Sequence, residues 1–242
     1  MTTILLIAGR EFRAYFATFS GYFILAGHLL VSGLLFNVYA VGSRAKFSQK
    51  VLEDFFFLAS GMAMVTAILL SARLIAEERQ NQTLVLLSTA PISEREIVLG
   101  KFFSALAFFS LTVVISLYLP ALVFINGKVS VGHILGGYAG LLLLGAATIS
   151  ISMLASSWCS SQLTAGALAA VMVTLLLVAW MAAQVSDQPL KGILNYVAFH
   201  NLHFRAFSRG MFALRDVVYY LTLTVFFLEC TVRSLEAWRW RE

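Results

Sequence analysis

Four intervals of the chain carry no formal charge: residues 14–43, 55–72, 102–127 and 129–186. Each is long enough for at least one helix across ~30 Å of hydrocarbon, which takes about 20 residues. The last is long enough for two. It breaks at Ser156-Ser157-Trp158-Cys159-Ser160-Ser161-Gln162, a polar turn carrying a tryptophan of the kind enriched at membrane interfaces. A final run from Val217 to Leu235 is apolar apart from Glu229 and Arg233. The pattern predicts six spans, near residues 20–42, 54–73, 99–126, 132–156, 163–184 and 216–236. An even number puts both termini on one side.

The residues before the first span follow a different pattern. At 100° per residue, Ile4, Leu5, Ala8, Phe12, Tyr15 and Phe16 gather on about a third of the circumference, with Arg10 and Arg13 opposite. That predicts an amphipathic helix over residues 1–17 lying in the headgroup plane. The alternative is that these residues are the leading end of span one. Between spans two and three, Pro91 ends the helical pattern. Ser93-x-x-Glu96 is a capping box that starts span three, with Ile92 and Ile97 at hydrophobic-staple spacing. Residues 81–89 are left as a short amphipathic helix between two membrane spans, a docking element, with an ordinary solvated loop as the alternative.

Composition agrees with the membrane reading. The chain has 242 residues, 60% hydrophobic and only 12% charged, against about 45–50% and 25% in soluble domains. Those values exclude a disordered chain, a disulfide scaffold and an ordinary cytosolic enzyme. Six spans leave too little length for a second domain, so residues 1–242 read as one membrane domain. The net charge of +5 contains no run of like charges, which suits contact with a membrane surface and not nucleic acid. No cleavable signal peptide is expected. Cys159 and Cys230 lie far apart beside apolar runs and read as reduced, inert thiols. With the N-terminus inside, nine basic residues fall inside and eight outside; discounting residues 185–215 as a semi-structured insert makes it nine against four.

Chemistry-bearing residues are few. Gly132, Gly136, Gly137 and Gly140, and again Ala165, Gly166, Ala169 and Ala170, give small-residue spacing that serves either packing within one subunit or a dimer contact. Glu229 is an intramembrane carboxylate, and Arg233 follows at the favourable i,i+4 spacing. The two read either as a structural ion pair or as a substrate or proton site. His200 and His203 lack a third ligand, so no metal site is expected. Asn81-Gln82-Thr83 fits a glycosylation sequon by chance. No G-x-x-x-x-G-K-[ST] phosphate loop is present: Arg95 precedes Gly100-Lys101, and Leu122 precedes Gly127-Lys128, where the first glycine must be. A membrane-embedded enzyme would need a nucleophile–base pair or clustered carboxylates at depth. The span interiors offer only His28, an interfacial His133 and Glu229.

A resemblance now adds to this reading. The run Glu77-Glu78-Arg79-x-x-x-Thr83-Leu84, then a Leu-rich turn, Pro91, Ser93 and Gly100-Lys101, resembles permease subunits of type-2 ABC exporters. It is most similar to the gliding-motility-type (Gld) branch. The start with Arg10-Glu11 and the segment Phe207-Ser208-Arg209-Gly210-x-x-x-Leu214-Arg215-Asp216-Val-Val-Tyr219-Tyr220 resemble that branch too. Gln82 stands where the pattern has glycine before Thr83, and Val85 where glutamate is common.

The resemblance implies an all-α polytopic half-transporter in the bacterial cytoplasmic membrane, with both termini cytoplasmic. It would move a lipidic, glycan or other hydrophobic substrate. Segment 77–90 would be the coupling-helix segment, with Glu77, Glu78, Arg79, Thr83, Leu84, Leu87 and Pro91 engaging a cytoplasmic ABC ATPase. Segment 187–214 would form outer-side re-entrant helices, and Phe207, Arg209, Gly210, Arg215 and Asp216 belong to that outer site. Partners implied are the ATPase with its Mg-ATP, a second permease copy (the same chain or another), a large periplasmic accessory subunit and membrane lipids. The chain itself would hold no cofactor. A non-transporting structural subunit is the alternative.

Overall fold

In the computed structural model the described residues are 2–42, 47–83, 92–126, 129–188 and 190–239, and all regular structure among them is helical. Helix α1 is Thr2–Ala17 and α2 is Phe19–Leu35, the latter running into a wide π turn, Phe36–Val41. Then come α3 (Ser48–Ser71), α4 (Arg73–Gln80), α5 (Glu94–Ile115) and α6 (Tyr118–Asn126). Helices α7 (Val131–Trp158), α8 (Gln162–Val185), α9 (Leu190–Val197), α10 (Phe204–Ser208) and α11 (Leu214–Arg239) complete the order.

Among the described residues six helical stretches are long and apolar enough to cross a membrane: Phe19–Tyr39, Ser48–Gln80, Glu94–Ile125, Val131–Trp158, Gln162–Val185 and Leu214–Arg239. These are the six expected spans, with an earlier start to the second and an interruption within the second and the third. The second begins at Ser48, six residues early, because Lys50 neutralises Glu53 and Asp54 within one turn, at 3.2 Å each. The same stretch is interrupted at Ala72, between α3 and α4. There Ser156 of α7 inserts its hydroxyl into the backbone ladder, accepting from Ile75 N (3.2 Å) and Ala76 N (2.9 Å) while donating to Ala72 O (2.7 Å). The third span is interrupted at Ser116–Leu117, four residues before Pro120, which lacks the N–H needed to continue the ladder.

The Ser93 capping box forms as expected, with Ser93 N donating to Glu96 Oε2 at 3.1 Å and Glu96 N to Ser93 Oγ at 3.4 Å. Helix α7 lies at the centre, packed by α3, α8, α11 and α5. Its glycines let aromatic rings approach its backbone: a Cβ on Gly137 would sit 2.3 Å from the Phe56 ring, and one on Gly140 2.5 Å from Phe207 Cβ. The small-residue stripe of this helix therefore packs against its own chain. Spans α2 and α8 lie at the periphery, with only 22% and 17% of their apolar windows covered.

Helix α1 differs from its expected face. Ile4, Ile7, Glu11 and Tyr15 turn inward and Ile7 rests on Gly100 of α5, whereas Leu5 and Phe16, read as part of one apolar stripe, are exposed. The apolar surface wraps more than one side of this helix, and α5 covers only one.

Candidate functional site

At the end of the bundle that carries α1, three helices deliver charges to one point. Gly100 has no side chain, so α1 lies close against α5: a Cβ there would meet Ile7 at 2.7 Å. The next residue, Lys101, is buried with its side chain 3% exposed and crosses the gap this approach leaves. Its ammonium donates to Glu78 Oε1 of α4 at 3.0 Å and to Glu11 Oε1 of α1 at 3.3 Å. Arg10 adds a second cation, 2.8 Å from Glu11 and 3.8 Å from Glu78. Two carboxylates thus share two cations, in a setting where a carboxylate left alone would bear a large desolvation cost. On the flank, the Arg73 guanidinium lies 4.3 Å over the Tyr15 ring and donates to Ser20 Oγ at 2.9 Å. Glu77 is exposed, on the rim of a 160 Å³ cavity shared with Glu11, Arg73 and Lys101.

The exit from α4 is closed tightly. Thr83 N donates to Glu78 O (2.9 Å) and Gln82 N to Arg79 O (3.2 Å), the two bonds of a Schellman motif. Gln82 occupies the left-handed position of that motif, φ +58°, where glycine is the unstrained residue. The Thr83 hydroxyl also donates to the Glu78 carboxylate. Glu78 therefore links Lys101 to the first residue after the turn. Leu84, Leu87 and Pro91, and most of segment 77–90 beyond Thr83, lie outside the described residues.

At the opposite end, α9 packs against α8, and α10 against α7 and α3. Phe199, Phe204 and Phe207 are fully buried. Helix α10 ends in a second Schellman motif, Met211 N to Ala206 O and Gly210 N to Phe207 O at 2.9 Å each, with Gly210 at φ +73°. Here a glycine fills the position, and a Cβ on it would meet His133 Cα at 2.6 Å. His203 is wholly buried: Nδ1 lies 2.8 Å from Asp216 Oδ1, Nε2 lies 3.0 Å from Tyr196 O, and the ring stacks on Tyr219 at 3.7 Å. Both ring nitrogens face oxygen atoms, so the imidazole is held between α11 and Tyr196 near the end of α9. His200 bonds elsewhere, to Ser60 Oγ at 2.6 Å, and burial holds its imidazole below the ordinary histidine value. Arg209 meets Glu53 at 3.1 Å, and Arg215 lies 5.3 Å over the Tyr196 ring.

Residues 6–225 match the family described as ABC-2 family transporter protein. The chain belongs to the ABC-2 transporter family. No curated protein matches it. Membership makes this chain a membrane permease of the ABC transporter class, a transport protein and not a catalyst. In this ABC-2 permease Glu78 and Thr83 meet at one end, while Phe207, Arg209, Gly210, Arg215 and Asp216 lie at the other, with Arg209 on Glu53, Arg215 on Tyr196 and Asp216 on His203. Glu229 and Arg233 join neither. Arg233 Nε lies 3.4 Å from Glu229 Oε1, and Arg95, in the first turn of α5, reaches the same oxygen at 3.0 Å. Glu229 is therefore level with a helix end and partly exposed. Among the described residues no group of three His, Cys, Asp or Glu side chains is placed to hold a metal, and both cysteines are free.

Sequence reasoning missed two partners and one pairing. Glu11 and Lys101 appeared only as spacing within motifs, and the His203–Asp216 pair was hidden because Asp216 sits at a span boundary. A lysine and glutamates near span ends were the only available signal.

Proposed function

We propose that this ABC-2 permease is the membrane half of an ATP-driven exporter of a lipidic, glycan or other hydrophobic substrate, worked by a separate cytoplasmic ABC ATPase. Its nearest kin in this reading is the gliding-motility-type branch, and two permease copies form the pathway in the bacterial inner membrane. Both termini are cytoplasmic, helix α1 lies in the headgroup layer and the whole chain is one permease domain. Segment 77–90 is the coupling element, and 187–214 the outer re-entrant segment that narrows the exit.

The observation that carries this reading is the buried Lys101–Glu78–Glu11 cluster. It ties α1, α4 and α5 into one rigid unit immediately before residues 84–91, so a push on that segment reaches all three helices. Closure of the ATPases would tilt the spans attached to this unit and exchange inward- and outward-facing states. Glu77 and Arg79 flank the brace, and Leu84, Leu87 and Pro91 supply the contact surface of the coupling element.

The test is co-purification. E78K combined with L84D is expected to abolish recovery of the ATPase with the permease while membrane insertion is retained. Full recovery of the ATPase would remove the coupling assignment. Substituting Arg209 and Arg215 by glutamine should impair transport and leave ATPase recovery unchanged.

A further inference from the structure

A cleft of about 470 Å³ opens where the ends of α4, α7 and α11 meet, at the same end of the bundle as α1. Its walls include Arg79 near the end of α4, Ser157 and Trp158 at the end of α7, and Arg233, Ser234 and Trp238 in the last turns of α11. The cations are not equivalent. Arg233 is neutralised by Glu229 at 3.4 Å and Glu236 at 3.2 Å. The Arg79 side chain has no ion pair among the described residues, and its Nε is buried without a hydrogen-bond partner. The guanidinium instead lies 5.6 Å over the Trp238 ring. The other aromatic wall, Trp158, is 55% exposed. Beneath them the Ser157 and Ser234 hydroxyls lie 3.0 Å apart, with Ser157 Oγ also 2.7 Å from Leu154 O, which leaves hydroxyl lone pairs at the cleft floor.

We infer that this cleft binds the phosphate of an anionic glycerophospholipid from the adjoining leaflet. A guanidinium is a planar fork that matches phosphate oxygens in pairs, and one without a counter-ion draws an anion into a site of low dielectric. Tryptophans at helix ends sit at headgroup depth, apolar body toward the chains and N–H toward the surface. Basic clefts between membrane helices are where anionic headgroups are held. The arrangement offers a phosphate one cation, two aromatic walls and a hydroxyl pair, while the acyl chains continue along the exposed flank of α11, past Phe226 and Val225. Arg79 thus faces lipid, on the other side of α4 from the Lys101 cluster. This inference requires the membrane spans alone and does not depend on ATPase coupling or on the direction of transport.

The full chain, purified in detergent, is titrated with dioleoyl-phosphatidylglycerol or dioleoyl-phosphatidylcholine and bound lipid is read by native mass spectrometry. Phosphatidylglycerol should bind at least about fivefold tighter, the worth of one basic residue at a membrane surface. R79Q should remove that preference and leave phosphatidylcholine binding unchanged. Equal affinities in the wild type, or a preference retained in R79Q, would overturn the site. Competition by sn-glycerol 3-phosphate at the same concentration would show a soluble-anion site and overturn the lipid assignment. A second measurement needs no variant: vesicles with brominated phosphatidylglycerol should quench the tryptophan fluorescence of the wild type more than vesicles with brominated phosphatidylcholine. Equal quenching counts against the proposal.

Discussion

Lys101 shows how one buried side chain can set the stability of a whole corner. Its ammonium is enclosed between Glu78 at 3.0 Å and Glu11 at 3.3 Å. Removing it leaves two carboxylates sharing the more exposed Arg10. K101M is therefore expected to lower unfolding free energy by roughly 3 kcal/mol, the usual cost of breaking one side of a buried ion cluster. Replacing all three together, as E11Q/E78Q/K101M, should recover most of that loss, since no charge is then left uncompensated. Reversible unfolding in mixed detergent–SDS micelles reads both values. A loss below about 0.5 kcal/mol in the single variant would mean that the cluster is effectively solvated. None of this was legible along the chain. Residues 11, 78 and 101 share no local spacing, and their meeting depends on Gly100 letting α1 descend onto α5.

At the scale of elements, the spans were legible because hydrocarbon imposes a length and a composition on any helix that crosses it. Their ends and bends were not. Ser156 enters the backbone ladder of the second span from another helix, a contact that no reading of residues 48–80 contains. Lys50, Glu53 and Asp54 looked like the outside of a span, yet they pair with one another inside its first two turns. The two Schellman closings invite a direct comparison. Gly210 fits its left-handed position, whereas Gln82 holds the same conformation with a side chain. Q82G should stabilise the protein by about 0.5–1 kcal/mol, the left-handed penalty less the entropy glycine regains on unfolding. G210A should destabilise, both through φ and through the 2.6 Å approach of its Cβ to His133 Cα. The same unfolding measurement applies, and opposite signs are the result that matters.

For the whole molecule, the sides of the membrane decide what the two clusters can do. The Lys101 cluster, the anion-binding cleft and the loop between α7 and α8 all lie at one end, while the His203–Asp216 pair lies at the other. Counting basic residues does not settle which end is inside, because the outer segment's Lys191, Arg205, Arg209 and Arg215 offset the excess. Structure gives a reason to discount two of the four: Arg209 is engaged with Glu53 and Arg215 with the Tyr196 ring. Charges spent on tertiary contacts are poor reporters of insertion. A native thiol gives a cleaner marker. Cys159, between α7 and α8, is free and part-exposed. In a C230S background, a membrane-impermeant maleimide should modify Cys159 in inverted vesicles and leave it unmodified in intact spheroplasts. K191C, added to C159S/C230S at the other end, should show the reverse. If Cys159 reacts from the outside, the Lys101 cluster faces away from any cytoplasmic ATPase, and the coupling role must pass to the His203 end.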